Sequence, residues 1–126
     1  MNTMLAQGTV PRSERYQDPH LEVDFMRASA SLDSRRMVLT RKEFDLLSLL
    51  VQNAGEIISR EALLWRVWGY STQIRTRTLD VHIRRLRKKL GSYSDQYIET
   101  IFGIGYRFQP FRPQRALVDY GVPAVA

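Results

Sequence analysis

Cysteine is absent from the 126 residues. Disulfides and cysteine-bound zinc are therefore excluded, and nothing argues for an oxidising compartment. Histidine is scarce: only His20 and His82 occur, neither with a second ligand at metal spacing, so no metal or cofactor is expected. Long apolar runs are missing too. The longest near-continuous stretch, Leu46–Val51, is broken by Ser48 and falls far short of the ~20 residues of a membrane span. Met1–Met4 lack a basic segment followed by an apolar one, so a secretory signal is not expected and the anticipated location is the cytoplasm. No nucleophile-elbow serine is present. The pair Gly103 and Gly105 is not followed by a helix, so it marks a turn and not a phosphate cradle. With these constellations missing, the chain does not read as an enzyme.

What is present is an ordinary globular composition, 44% hydrophobic and 25% charged, at a length that suits one domain with short tails. The formal net charge is +6, and its location says more than its size. Residues 75–90 hold seven basic side chains and one acid, Asp80, and the rest of the chain is balanced, so the whole excess lies on one segment. A solvated helix face normally mixes signs at i,i+4 spacing. A segment with the acids missing points instead to a polyanionic partner.

Along the chain, residues 1–19 are polar and irregular, with Gly8, Pro11 and Pro19, and read as a linker or frayed tail. Leu21–Phe25 alternates as a half-buried strand does, and Ser29–Leu32 is weaker strand material. Asp33–Arg36 reads as a turn and Met37–Leu39 as a further short strand, giving a small antiparallel sheet. Thr40-Arg41-Lys42-Glu43 fits a capping box, after which Phe44, Leu47, Leu50 and Val51 recur at helical spacing as far as Asn53-Ala54-Gly55. Ser59 caps a second helix lined by Leu63, Leu64, Val67 and Trp68 and stopped by Gly69. Thr76 caps a third, which ends at Gly91. Residues Ile98–Phe102, a Gly103-Ile104-Gly105 turn and Tyr106–Phe108 read as a β-hairpin. The domain is placed at 20–110, with 111–126 as a tail. The aromatics Trp65, Trp68, Phe102, Tyr106 and Phe108 read as core before stacking platform.

The third helix has two faces. At about 100° per residue, Leu79, Ile83, Leu86 and Leu90 form one stripe. Arg77, Val81, Arg84 and Lys88 fall opposite, Arg85 beside them, and Arg87 and Lys89 flank on either side. A helix fits the DNA major groove, arginine donates two bonds to guanine, and valine touches a thymine methyl. His82, at the edge of the buried stripe, reads as a packed boundary residue. Asp80 reads as orienting a neighbouring arginine or helping the helix start.

Several blocks then coincide. The run Leu39–Leu47 resembles the first helix of the winged-helix effector domain of OmpR/PhoB-type response regulators. So do Ile58–Leu64, Val67-Trp68-Gly69, Arg77–Leu90 and Gly103–Phe108, in order over residues 20–109. The resemblance implies an α+β winged helix-turn-helix: an N-terminal antiparallel sheet, three helices, and a C-terminal hairpin, the wing. It implies sequence-specific double-stranded DNA binding and transcription regulation in a two-component phosphorelay, with helix 76–90 in the major groove and wing 98–108 at the minor groove. By position, Arg85 would be the leading base contact with Val81 beside it. Arg77, Arg84 and Arg87 would hold phosphates, with Thr78 and Lys88 on the same surface. Trp68, Thr100 and Tyr106 would add backbone contacts. Loop 69–75 would face RNA polymerase, and two copies would sit on direct-repeat DNA. Phe102 stands where many relatives carry an arginine and some an aromatic, and it cannot make a charged minor-groove contact, so the wing either packs on sugars or hardly engages. Family members usually carry a receiver domain upstream, which some nineteen irregular residues cannot form. An excised fragment and a free-standing effector both remain open.

The other readings are a protein-interaction module and an RNA binder. The first would use the Trp65/Trp68 region and Tyr70–Arg75 to meet RNA polymerase or another acidic partner. RNA fits less well, because A-form RNA hides its major groove from a helix.

Overall fold

The computed structural model describes residues 14–70 and 76–112. Its first layer is a four-stranded antiparallel sheet in sequence order, β1 (Arg15–Gln17), β2 (Leu21–Asp24), β3 (Ser29–Leu32) and β4 (Arg35–Arg36). Val23 pairs with Ala30, and with Leu21 these small and branched side chains face the core. Leu32 pairs directly with Arg35, so the connection is the two-residue turn Asp33-Ser34, with φ of 50° and 67°. Positive φ at both positions matches the strand twist. This corrects the expected turn at Asp33–Arg36 and the expected strand at Met37–Leu39. A two-residue turn returns the chain to the sheet at once, so pairing resumes at Arg35. Met37 donates one more bond to Ala30 O at 2.8 Å, and the chain then leaves for the first helix.

The boundary at residue 20 also moves. Arg15, Tyr16 and Gln17 pair with Asp24, Val23 and Glu22, and Tyr16 meets the Phe108 ring edge-on at 5.5 Å. Three residues are too few to show periodicity, and Tyr16 is ordered by a partner ninety-two positions away. Asp18 secures this entry. It accepts from the amides of His20 and Leu21, both at 2.8 Å, from Tyr97 Oη at 2.7 Å and from the amide of Phe111 at 3.2 Å. Phe111 packs against the core as well, so the closing edge at 110 is also too early. Residues 1–13 and 113–126 lie outside the described residues.

Three helices follow: α1 (Arg41–Gln52), α2 (Arg60–Trp68) and α3 (Thr78–Leu90). The α1 capping box is complete, with Glu43 N donating to Thr40 Oγ1 at 3.2 Å and Thr40 N to Glu43 Oε1 at 3.0 Å. Ser59 caps α2 through the Ala62 amide, and Gly69 ends it in the left-handed conformation. For α3 the structural cap is Arg77, but the Thr76 hydroxyl still accepts from the Thr78 amide at 3.0 Å. A 3-10 turn at Gly91–Tyr93 and a one-turn helix α4 (Ser94–Tyr97), neither anticipated, lead into the hairpin.

That hairpin is β6 (Ile98–Ile101) and β7 (Gly105–Phe108), and with β5 (Ile57–Ser59) it forms a three-stranded sheet in the order β5-β7-β6. The extra strand β5 is three residues long and merges into the α2 cap, which hides it from pattern reading. Gly105 faces Ser59 across this sheet. A Cβ there would lie 2.0 Å from Ile58 O, so only glycine permits the approach. The sheet, α1, α2 and α3 close on one core in which Leu47, Leu63, Leu86, Tyr97 and Phe108 are fully buried.

Candidate nucleic-acid interface

The two faces of α3 are realised as the wheel predicts. Leu79, Ile83, Leu86 and Leu90 are buried, while Arg77, Arg84, Arg85 and Lys88 are exposed. Arg84, Arg85 and Lys88 make no hydrogen bond or ion pair among the described residues. Val81 and Thr78, half-buried, sit on the same helix. Thr78 Oγ1 lies 2.7 Å from Thr76 Oγ1, which fixes the first turn.

Asp80 does not weaken this surface. Arg60 of α2 grips it with Nη1 at 2.5 Å and Nη2 at 3.4 Å, and Tyr106 Oη donates to it at 3.2 Å. The Arg60 bond holds its carboxyl below the usual carboxylate range, against a smaller opposing push from burial. The one acid of the basic segment is thus spent on a structural cation. Arg60 was invisible to sequence reasoning, since nothing at a separation of twenty residues links the two.

Four of the expected contact residues, Arg87, Thr100, Tyr106 and Trp68, make contacts within the domain. Arg87 turns toward the wing: its Nη2 donates to Ile98 O at 2.9 Å and to Thr100 Oγ1 at 2.7 Å. Its guanidinium carbon lies 5.8 Å from the Tyr106 ring centroid, and its Nε is buried without a hydrogen-bond partner. Arg87, Thr100 and Tyr106, expected as separate backbone contacts, therefore form one seam that fixes the hairpin to α3. Burial and the Asp80 carboxylate raise the Tyr106 hydroxyl, so it stays protonated and donating. Trp68, expected to touch a backbone, packs edge-on against His82 at 4.8 Å. His82 Nδ1 is 2.8 Å from Thr78 O, and since a carbonyl only accepts, Nδ1 carries the proton. His82 is thus the packed boundary residue expected.

Lys89 also points inward, giving its Nζ to Glu43 Oε1 at 2.6 Å. Glu43 is 2% exposed. Burial pushes its carboxyl up, and the bonds from Lys89 and the Thr40 amide overcome this and hold it below its ordinary value.

Two aromatics expected in the core are instead on the surface. Trp65 on α2 is 61% exposed and Phe102 at the hairpin tip 89%. Ile104, two residues on, is 50% exposed, and Gly103 between them has φ of 79°. The turn is closed by Ile104 N donating to Ile101 O at 2.9 Å and tied to α2 by Arg60 N donating to Ile104 O at 3.0 Å. The loop expected to face polymerase lies mostly outside the described residues, at 71–75, and Arg75 with it. Among the described residues no group of three His, Asp or Glu is placed to hold a metal ion. No described helix is long and apolar enough to cross a membrane.

A family model described as "Transcriptional regulatory protein, C terminal" matches residues 34–108. The chain is 56% identical over 70 residues to the uncharacterized transcriptional regulatory protein YclJ of Bacillus subtilis (strain 168), a match covering 56% of this chain and 31% of that protein. It is 39% identical over 87 residues to the response regulator ArlR of Staphylococcus aureus (strain Mu50 / ATCC 700699), covering 68% and 40% respectively. The chain therefore spans well under half the length of these relatives. Among solved structures, the Klebsiella pneumoniae RstA DNA-binding domain in complex with the RstA box matches with a TM-score of 0.70 at 32% identity, over 77% of this chain and 98% of that one. The DNA-binding domain of CpxR from E. coli matches with a TM-score of 0.69 at 33% identity, over 76% and 96%.

Proposed function

The chain belongs to the family of transcriptional regulatory protein C-terminal domains, and on that premise we propose that it binds double-stranded DNA sequence-specifically as the effector domain of a two-component response regulator. One observation carries this reading. The outward face of α3 presents Arg84, Arg85 and Lys88 without partners, while the segment's one acid is neutralised from behind by Arg60. Such a helix in the major groove draws affinity from phosphates and sequence choice from base edges. Arg85 is the leading base-reading residue and Val81 its apolar neighbour. Arg77, Arg84 and Lys88 hold phosphates, Thr78 adds to the same contact, and the seam of Arg87, Thr100 and Tyr106 sets where the wing meets the backbone. Trp68 contributes through the position of His82 and the first turns of α3.

The match to the RstA domain, solved on its DNA box, and to the CpxR DNA-binding domain supports this reading. The likeness to ArlR, a response regulator, supports the assignment to two-component signalling, and with that assignment we place the chain in the cytoplasm, without catalysis of its own. Two copies on a direct repeat, and RNA polymerase at loop 69–75, complete the proposal. The exposed Trp65 favours a protein contact in addition to DNA, since an activator uses both surfaces. Selection of bound duplexes from a random pool, followed by sequencing, tests the whole. An enriched motif is expected, repeated at a fixed spacing if two copies bind, and recovery of unenriched sequence refutes sequence-specific binding.

A further inference from the structure

The tip of the wing is apolar and exposed, in contrast to the aromatic residues of the core. Phe44, Tyr97 and Phe108 are all buried, yet Phe102 stands 89% exposed and Ile104 beside it 50% exposed. The tip is Phe102-Gly103-Ile104, without charge, and the hairpin's one cation, Arg107, is held by Glu99 at 2.9 Å. The hairpin thus offers no unpaired positive charge. Its stem is held from three sides: Arg87 of α3 binds Ile98 O and Thr100, Arg60 N of α2 binds Ile104 O, and Gly105 packs against Ile58 of β5. Phe102 follows β6 directly, as the first residue of the turn. A stem anchored to α2, α3 and β5 therefore ends in an exposed aromatic ring.

We infer that Phe102, backed by Ile104, enters the minor groove flanking the α3 site as an apolar wedge and makes the domain select an easily unstacked base step there. The inference rests on the DNA-binding reading above and deepens it. A minor groove about 6 Å wide admits a flat ring edge-on. Apolar side chains inserted from that groove partly unstack a step and kink the duplex. Pyrimidine–purine steps such as TA and CA deform most readily, so the wedge reads deformability and not hydrogen-bond pattern. It displaces no counterion, so its contribution is insensitive to salt, unlike that of every cation on α3.

The test uses the duplex recovered by selection and versions of it with TA, CA or AA at the wing-facing step. Binding and end-to-end energy transfer are measured for the wild type, Phe102→Ala and Phe102→Arg, each first shown to keep the wild-type urea midpoint. The wild type should prefer TA and CA over AA and bend the duplex. Phe102→Ala should lose about tenfold in affinity, the step preference and the bend, with the salt slope unchanged. Phe102→Arg should steepen the salt slope by about one unit and move the preference to the narrow-groove AA step. If the wild type binds with Arg85-dependent base choice but Phe102→Ala keeps its affinity, step preference and bend, the wedge is refuted and the DNA-binding reading stands. If the wild type binds no duplex, both fall.

Discussion

Two sets of cations share α3 and do opposite work. Arg84, Arg85 and Lys88 extend into solvent without partners, whereas Arg87 and Lys89, interleaved with them in sequence, turn inward to the wing and to buried Glu43. The inward pair positions the helix against β6 and α1, and the outward set is left free for a polyanion. A charge run is therefore not one feature. Its members divide according to which neighbour offers a carbonyl, hydroxyl or carboxylate within reach, and only the remainder is available for binding.

The division can be broken at several points. Removing the stripe beneath it has the largest effect: Leu86→Ala should cost about 2–5 kcal/mol in a urea titration, because it opens a cavity under both sets. Arg87→Ala should cost about 1–3 kcal/mol of stability by leaving Ile98 O and Thr100 without their donor. It should also loosen the wing, read as faster amide exchange at β6 and β7. Arg85→Ala should leave the urea midpoint within about 0.5 kcal/mol. Its binding should weaken by about 1–3 kcal/mol with relaxed base preference, and a footprint with base choice intact would remove Arg85 as the reader. Lys88→Ala should weaken all duplexes alike and lower the salt slope by about one unit.

The smallest effect lies outside α3, at Asp18. Burial pushes its carboxyl up, but bonds from Tyr16, the Leu21 and His20 amides and Tyr97 outweigh this and hold it below its ordinary value. A depressed folded value stabilises the protein above the unfolded value of about 4 and is lost as pH falls through the folded one. Urea midpoints measured from pH 6 down to 2 should therefore fall less steeply for Asp18→Asn than for the wild type.

The same division explains what the sequence made legible. The α3 stripe, the Thr40–Glu43 capping box and the Ser59 cap are local patterns, complete within a turn or two of helix, and all three stand in the structure. The exposed Arg84, Arg85 and Lys88 follow from the same periodicity. What was hidden depends on distant partners. β1 exists because Tyr16 meets Phe108, Arg60 is committed because Asp80 is opposite it, and Arg87 turns because the hairpin brings Ile98 O and Thr100 to it. β4 was misplaced by two residues because Asp33 and Ser34 both tolerate positive φ, which no apolar pattern signals.

Salt titration of binding to the selected duplex, followed by fluorescence anisotropy, tests the central claim most directly. With Arg77, Arg84 and Lys88 on phosphates, log K should fall linearly with log salt with a slope of about −3 or steeper. A slope near zero would mean that the free cations of α3 meet no phosphates, and the account would be wrong at its base.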